Sequence, residues 1–203
     1  MARLRDRVPT LLALALPAVA PAWSAPAHHR AAPATATAPA AAGRFTFYGL
    51  GPAAAGQGLA QAEAALGQAL KPLPPPARAR AANAAGAAAA SAPGGTCHYR
   101  ATEAQPGVRY ALAGDVITRI ETRDTRYTTV SGVHVGDTVE HAQQAYGKRL
   151  TLAPHPYFDK GHTLTVYSPD KRFALVMEAN DQGRIITLRG GRLPEVGWLE
   201  GCS

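Results

Sequence analysis

Residues 131–150 read SGVHVGDTVEHAQQAYGKRL. Val139, Ala142 and Tyr146 stand three and four apart, so they share one face of a helix. Asp137 occupies the place of a helix N-cap, and Glu140, three residues on, completes a capping-box pattern. Gly147 suits the left-handed conformation that ends a helix, and Leu150 opens the next segment. Such a helix has only about ten residues and is unstable alone, so its apolar face must pack on something.

The stretch has a partner upstream. Shifted by 80 positions, Gly56 falls on Gly136, Leu59 on Val139, Ala62 on Ala142, Leu66 on Tyr146, Gly67 on Gly147 and Leu70 on Leu150. Internal similarity at a fixed offset is the mark of a repeated unit. The upstream copy starts more weakly, because Gln57 and Ala60 replace the cap and its partner.

Strand patterns follow the second helix. In GHTLTVYS, Leu164 and Val166 alternate with Thr163, Thr165 and Tyr167; in RFALVME, Phe173, Leu175 and Met177 alternate with Ala174, Val176 and Glu178. RIITLR follows, and SPDK and NDQG between the runs are turn material. One oily face per strand fits an antiparallel sheet with helices on one side. Upstream, CHYR, VRYAL and Val116–Ile120 repeat the theme, with Tyr110 matched to Phe173 and Val116 to Ile185. A last strand is expected over 195–200, and Tyr146 and Trp198 are the first choices for core aromatics. The expected fold is α+β: two tandem units, each a short helix followed by an antiparallel meander, over residues 44–130 and 131–203.

Gly136, Asp137, Thr138, Val139 and Gly147, set before a three-stranded meander, resemble the module of the small outer-membrane lipoproteins of the barrel-assembly machinery. Tandem copies of a similar module form secreted beta-lactamase-inhibitor proteins, and the arrangement also resembles other exported bacterial proteins. The resemblance implies a non-catalytic protein that binds other envelope or secreted macromolecules. The chain departs from the lipoproteins in having no cysteine after its apolar amino-terminal run.

Residues 1–27 read as a secretory signal: Arg3, Arg5 and Arg7, then VPTLLALALPAVA, then small residues at Ala25 and Ala27, with a cut after Ala25 as the rival site. The apolar run is too short for a comfortable membrane span. Export to a periplasm or outside the cell follows. Residues 28–43 are nearly all Ala, Pro and Thr and have little to bury. Residues 71–96 have a similar composition and are expected to form a long loop inside the first unit. The formal charge is +7, and its basic residues are scattered, so no concentrated nucleic-acid patch is present. The two cysteines, Cys97 and Cys202, should pair in an oxidising compartment, closing a long loop and joining the units. They form no CxxC pattern for a metal.

The candidate site is APHPYFDKGH, which brings His155, Tyr157, Phe158, Asp159 and His162 into one loop between helix and sheet. Aromatics and histidines there can present a binding surface. The loop has two rival uses. It can be a plain structural connection stiffened by Pro154 and Pro156, with Tyr157 or Phe158 plugging the sheet edge. Alternatively, His155, His162 and Asp159 can supply acid–base chemistry for a hydrolase. No standard spacing supplies a metal set, and no serine lies in a Gly-x-Ser-x-Gly setting. No cofactor is expected. His134 and His141 flank the helix start as surface groups.

Overall fold

The computed structural model describes residues 43–74 and 97–202. The signal and Ala/Pro readings for 1–42, and most of the 71–96 loop, lie outside the described residues.

A hairpin of β1 (Gly49–Leu50) and β2 (Ala53–Ala54) leads into α1 (Leu59–Leu66). The two-residue β3 (Lys71–Pro72) follows, then β4 (Cys97–Ala101), β5 (Val108–Ala113) and β6 (Val116–Thr122). The second part repeats the order, with α2 (Val139–Tyr146), β7 (Leu150–Pro154), β8 (His162–Tyr167), β9 (Phe173–Ala179) and β10 (Ile185–Arg192). Strands β3 to β10 form one eight-stranded antiparallel sheet in the order β3-β4-β5-β6-β10-β9-β8-β7. Among the described residues the fold is therefore α+β, with two short helices, the small β1–β2 ribbon and an eight-stranded antiparallel sheet that runs unbroken through the β6–β10 pair.

The strand periods predicted from sequence place the core. Leu164, Val166, Leu175, Met177 and Leu188 share one sheet face with Tyr110, Leu112, Ile117 and Ile120. Ala62 of α1 and Val139, Ala142 and Tyr146 of α2 close over them, so one apolar cluster serves both parts. Between the helices the β1–β2 hairpin lies directly on β10. Gly190 permits this, because a Cβ there would sit 2.3 Å from the Thr46 carbonyl oxygen and 3.0 Å from the Gly49 nitrogen.

Each helix is tied to the last strand of its part by the same three backbone bonds. Gly56 N–H donates to Ile117, Ile117 N–H to Gln57 and Leu59 N–H to Asp115. Likewise Gly136 donates to Ile185, Ile185 to Asp137 and Val139 to Gly183. These bonds pair Ile117 with Ile185, so Val116 does not stand where Ile185 does. Tyr110 lies opposite Ile120 and Phe173 opposite Arg192, so those two do not hold matching places either.

The helix ends differ from the expected ones. Thr138, not Asp137, caps α2, and its hydroxyl accepts the His141 N–H at 3.1 Å. The Asp137 carboxylate turns back instead, to the His134 N–H at 2.8 Å and to the His134 and His141 imidazoles at 2.7 and 3.1 Å. Burial pushes that carboxyl up, but His134, through its N–H and ring, and His141 together hold it below the usual value. Gly67 does end α1 in the left-handed region, with the Gly67 and Gln68 N–H groups donating to Ala64 and Glu63. Gly147 has a positive φ of 54° but a ψ of −133°, and the chain runs into a short 3₁₀ turn, Gly147–Arg149.

The expected strand at 195–200 is absent. Glu195–Gly197 is a 3₁₀ turn, and Trp198 is half-buried outside the apolar clusters, while Tyr146 is core. The edge strands β3 and β7 were not anticipated. No described helix is long and apolar enough to cross a membrane.

Candidate functional site

The face of the sheet away from the helices is built from charge. Strand alternation places Arg109, Arg119, Glu121, Glu178 and Arg189 there. The Glu121 carboxylate meets Arg109 at 2.6 Å, Arg119 at 2.9 Å and Arg189 at 3.7 Å, and Arg189 also bonds Glu178. All but Arg109 are buried. The Arg119 Nε contact is ionic, since its angle is too poor for a hydrogen bond.

Residues 193–202 cross this face as a strap. Val196 packs with Ala174, Val176 and Leu193 in a second apolar cluster. Arg119 Nη1 donates to the carbonyls of Glu195 at 3.2 Å and Trp198 at 2.5 Å, and Nη2 to the Tyr99 hydroxyl. The Cys97–Cys202 disulfide then pins the strap to β4. The bridge links Cys97 of the first part to Cys202 of the second, as expected from the sequence, alongside the β6–β10 pairing that also joins the two parts.

Beside Leu199 and Glu200 of the strap lies a cleft of about 270 Å³, lined also by Arg123, His155, Tyr157, Phe158, Glu178 and Ile186. The loop after β7 is tight. His155 N–H donates to the Gly161 carbonyl, Gly161 N–H to Phe158, and Lys160 N–H to the Asp181 carboxylate. A Cβ on Gly161 would lie 2.4 Å from that of Phe158 and 2.6 Å from the Ala179 carbonyl, so only glycine closes the loop there. This geometry turns His155 inward, where it is 7% exposed, and Tyr157 outward, at 65%. The Phe158 ring packs on the imidazole at 4.6 Å between centroids. The Tyr157 hydroxyl donates to Glu200 of the strap at 2.6 Å.

The hydrogen bonds of His155 fix its tautomer. Its Nδ1 accepts the Tyr157 backbone N–H at 3.1 Å, so the neutral ring carries its proton on Nε2. That nitrogen is buried, has no hydrogen-bond partner, and lies 3.8 Å from Glu178 Oε1. A general base needs an available lone pair, and neither nitrogen of this imidazole offers one in that state.

Of the five residues expected in the site, the structure brings His155, Tyr157 and Phe158 together. Asp159 is exposed and does not line the cleft. His162 pairs with Ala179 and shares the helix-side face with Leu164, whereas Glu178 faces the other way. The two histidines therefore lie on opposite faces of the sheet and do not converge. Glu178, Arg123, Ile186, Leu199 and Glu200 escaped the sequence reading. Glu178 was visible as the charged member of an otherwise apolar alternation; the strap residues carried no local signal.

Among the described residues no group of three or more His, Cys, Asp or Glu is placed to hold a metal ion. A second cavity, of about 500 Å³, lies between α1 and the 102–105 turn; Tyr127 is its one titratable lining group. Burial raises the phenol of Tyr127. Comparison with protein-family models, with curated proteins and with solved structures finds no match of any kind.

Proposed function

We propose that this is a non-catalytic exported protein that binds another envelope or secreted macromolecule through the 155–161 loop and the strap beside it. The observation that carries the reading is Tyr157: a large aromatic, mostly exposed, yet held in place by Glu200 and by a loop closed on itself. A pre-positioned aromatic loses little freedom on binding, which makes it an effective anchor. Export rests on the reading of residues 1–27 and agrees with a fold stapled by a disulfide.

We also read the two parts as copies of one module. Support comes from the mirrored strand order about the β6–β10 pair and from the three matched helix-to-strand bonds. The matching positions, 80 apart from the helix into the edge strand, agree with the offset found in the sequence.

One observation favours a hydrolase instead: a cleft where a buried histidine meets a carboxylate, His155 beside Glu178. Its tautomer counts against that use. A purely structural role remains the third reading.

The test is affinity capture by the oxidised protein from envelope extract and from secreted material, beside Tyr157→Ala. Phe158 is left intact because it supports His155. One stoichiometric partner lost with the variant supports the proposal. Equal recovery removes the loop from it, and a blank from both sources overturns it in favour of the structural role.

A further inference from the structure

We propose that β7 is a docking edge: an extended segment of another polypeptide, acidic at one end, adds beside it as a further strand of the sheet. The inference goes beyond the Tyr157 reading, because it concerns a second surface and does not need the loop.

The two edges of the sheet are unlike. β3 is two residues long, Lys71 and Pro72, and its lysine is paired with Glu103 at 2.7 Å. Shortness, lysine and proline are the ordinary protections of a sheet edge. β7 runs for five residues, Leu150–Pro154, and carries no charged side chain. Its outer side has no strand partner among the described residues. Residues 151–154 are all exposed, Leu152 at 39%. Its one protection is the proline at its end.

The pairing with β8 shows what this edge offers. Pro154 has no N–H, so its pair with His162 does not exchange bonds. One residue on, the His155 N–H does bond to the Gly161 carbonyl. Alternation then turns the backbone groups of Thr151 and Ala153 toward β8, and those of Leu150, Leu152 and Pro154 outward. The Leu150 N–H is taken by the Gly147 carbonyl. The edge therefore presents the carbonyls of Leu150, Leu152 and Pro154, spaced about 7 Å apart, and a single donor, the Leu152 N–H.

That inventory selects the occupant. A row of acceptors at this spacing asks for an N–H at every second residue of a partner, which an extended polypeptide supplies. A phosphate carries no such donors. A second copy of β7 fits badly. Laid antiparallel in its longest overlap, it sets Leu150 against Pro154, where neither has an N–H to give the other's carbonyl. Charge adds a further requirement. The turn Gly147–Arg149, which leads into β7, carries Lys148 and Arg149, both exposed and without an ion pair among the described residues. Carboxylates at the end of the segment nearest Leu150 complement them.

The test uses the full oxidised chain and NMR. In the free protein the Leu152 amide should exchange with solvent about tenfold or more faster than those of Thr151 and Ala153, which bond to β8. The probes are octapeptides of alternating Thr and Val, extended by paired Glu or by paired Lys at either end. A Glu-ended peptide should shift the Leu152 amide and slow its exchange, with affinity on the order of millimolar. Leu152→Pro, which an outward-facing edge position tolerates, should weaken binding about fivefold or more, as loss of one hydrogen bond does. Lys148→Glu combined with Arg149→Glu, which leaves β7 itself untouched, should reverse the preference for Glu-ended over Lys-ended peptides. A Leu152 amide already protected in the free chain overturns the inference, as does a peptide panel that leaves it unmoved. A Leu152 shift that grows as the protein alone is concentrated assigns the edge to a second copy and overturns it too. Capture that depends on Tyr157 is read separately, so either proposal can fail without the other.

Discussion

The two faces of the sheet are both buried at its centre, but by opposite means. On the helix side Leu164, Met177, Leu188 and Ile120 are covered by apolar residues of α1, α2 and the hairpin. On the other side Arg119, Glu121, Glu178 and Arg189 neutralise one another beneath the strap. Oily side chains tolerate rearrangement, because their attraction has no direction. Buried charges do not, since each loses hydration and must find a partner of set geometry. The helix face thus holds the fold together, and the charged face dictates where the strap, and with it one wall of the cleft, must lie.

Substitutions can break or sharpen that contrast. The largest effect is expected from Glu121→Ala, which leaves Arg119 and Arg189 buried without their shared counter-charge. A loss of about 3–5 kcal/mol in urea denaturation is predicted. A loss below about 1 kcal/mol would mean that water reaches the ladder and that the strap does not seal it. On the apolar face Met177→Ala should cost about 2–5 kcal/mol, through lost burial and the cavity left behind. Reduction of Cys97–Cys202 should cost roughly 2–5 kcal/mol and lower the melting temperature. It should also speed exchange of strap amides before those of β9. Uniform exchange on reduction would show that the strap is not a separate unit.

The difference between the faces also explains what the sequence disclosed. Period-two alternation in 164–166 and 173–177, and the 139–142–146 spacing, report apolar burial directly, so the helices, six of the strands and the core were legible. The charged face was not. Arg119, Glu121 and Arg189 drew no reading from the sequence, because burial by pairing leaves no hydrophobic pattern. The strap was read as a last strand over 195–200 because its place is set by Arg119 bonds to backbone carbonyls, which no residue type announces. Within the site, His155, Tyr157 and Phe158 stood out as a cluster. Asp159 and His162 were grouped with them only by closeness in the chain, and the sheet separates His162 by one alternation.

Smaller effects should come from the surface. Asp137→Asn keeps one acceptor oxygen but removes the charge shared by His134 and His141, for about 1 kcal/mol. Because the Asp137 carboxyl is held below its ordinary value, its contribution is complete above the unfolded value of about 3.9 and is lost as pH falls through the folded one. An acid titration of stability should therefore fall less steeply below about pH 4 in the variant. Smallest of all, Tyr157→Ala should change stability by less than about 0.5 kcal/mol. A large loss would make Tyr157 a structural plug and end its part in binding.

The most direct measurement is the tautomer of His155, read by ¹⁵N NMR of the imidazole. The proton should sit on Nε2, with Nδ1 accepting the Tyr157 N–H at 3.1 Å, which leaves the ring no free lone pair to act as a base. A proton on Nδ1 would place a lone pair on Nε2 beside Glu178, remove the argument against a base, and contradict the account in favour of the hydrolase reading.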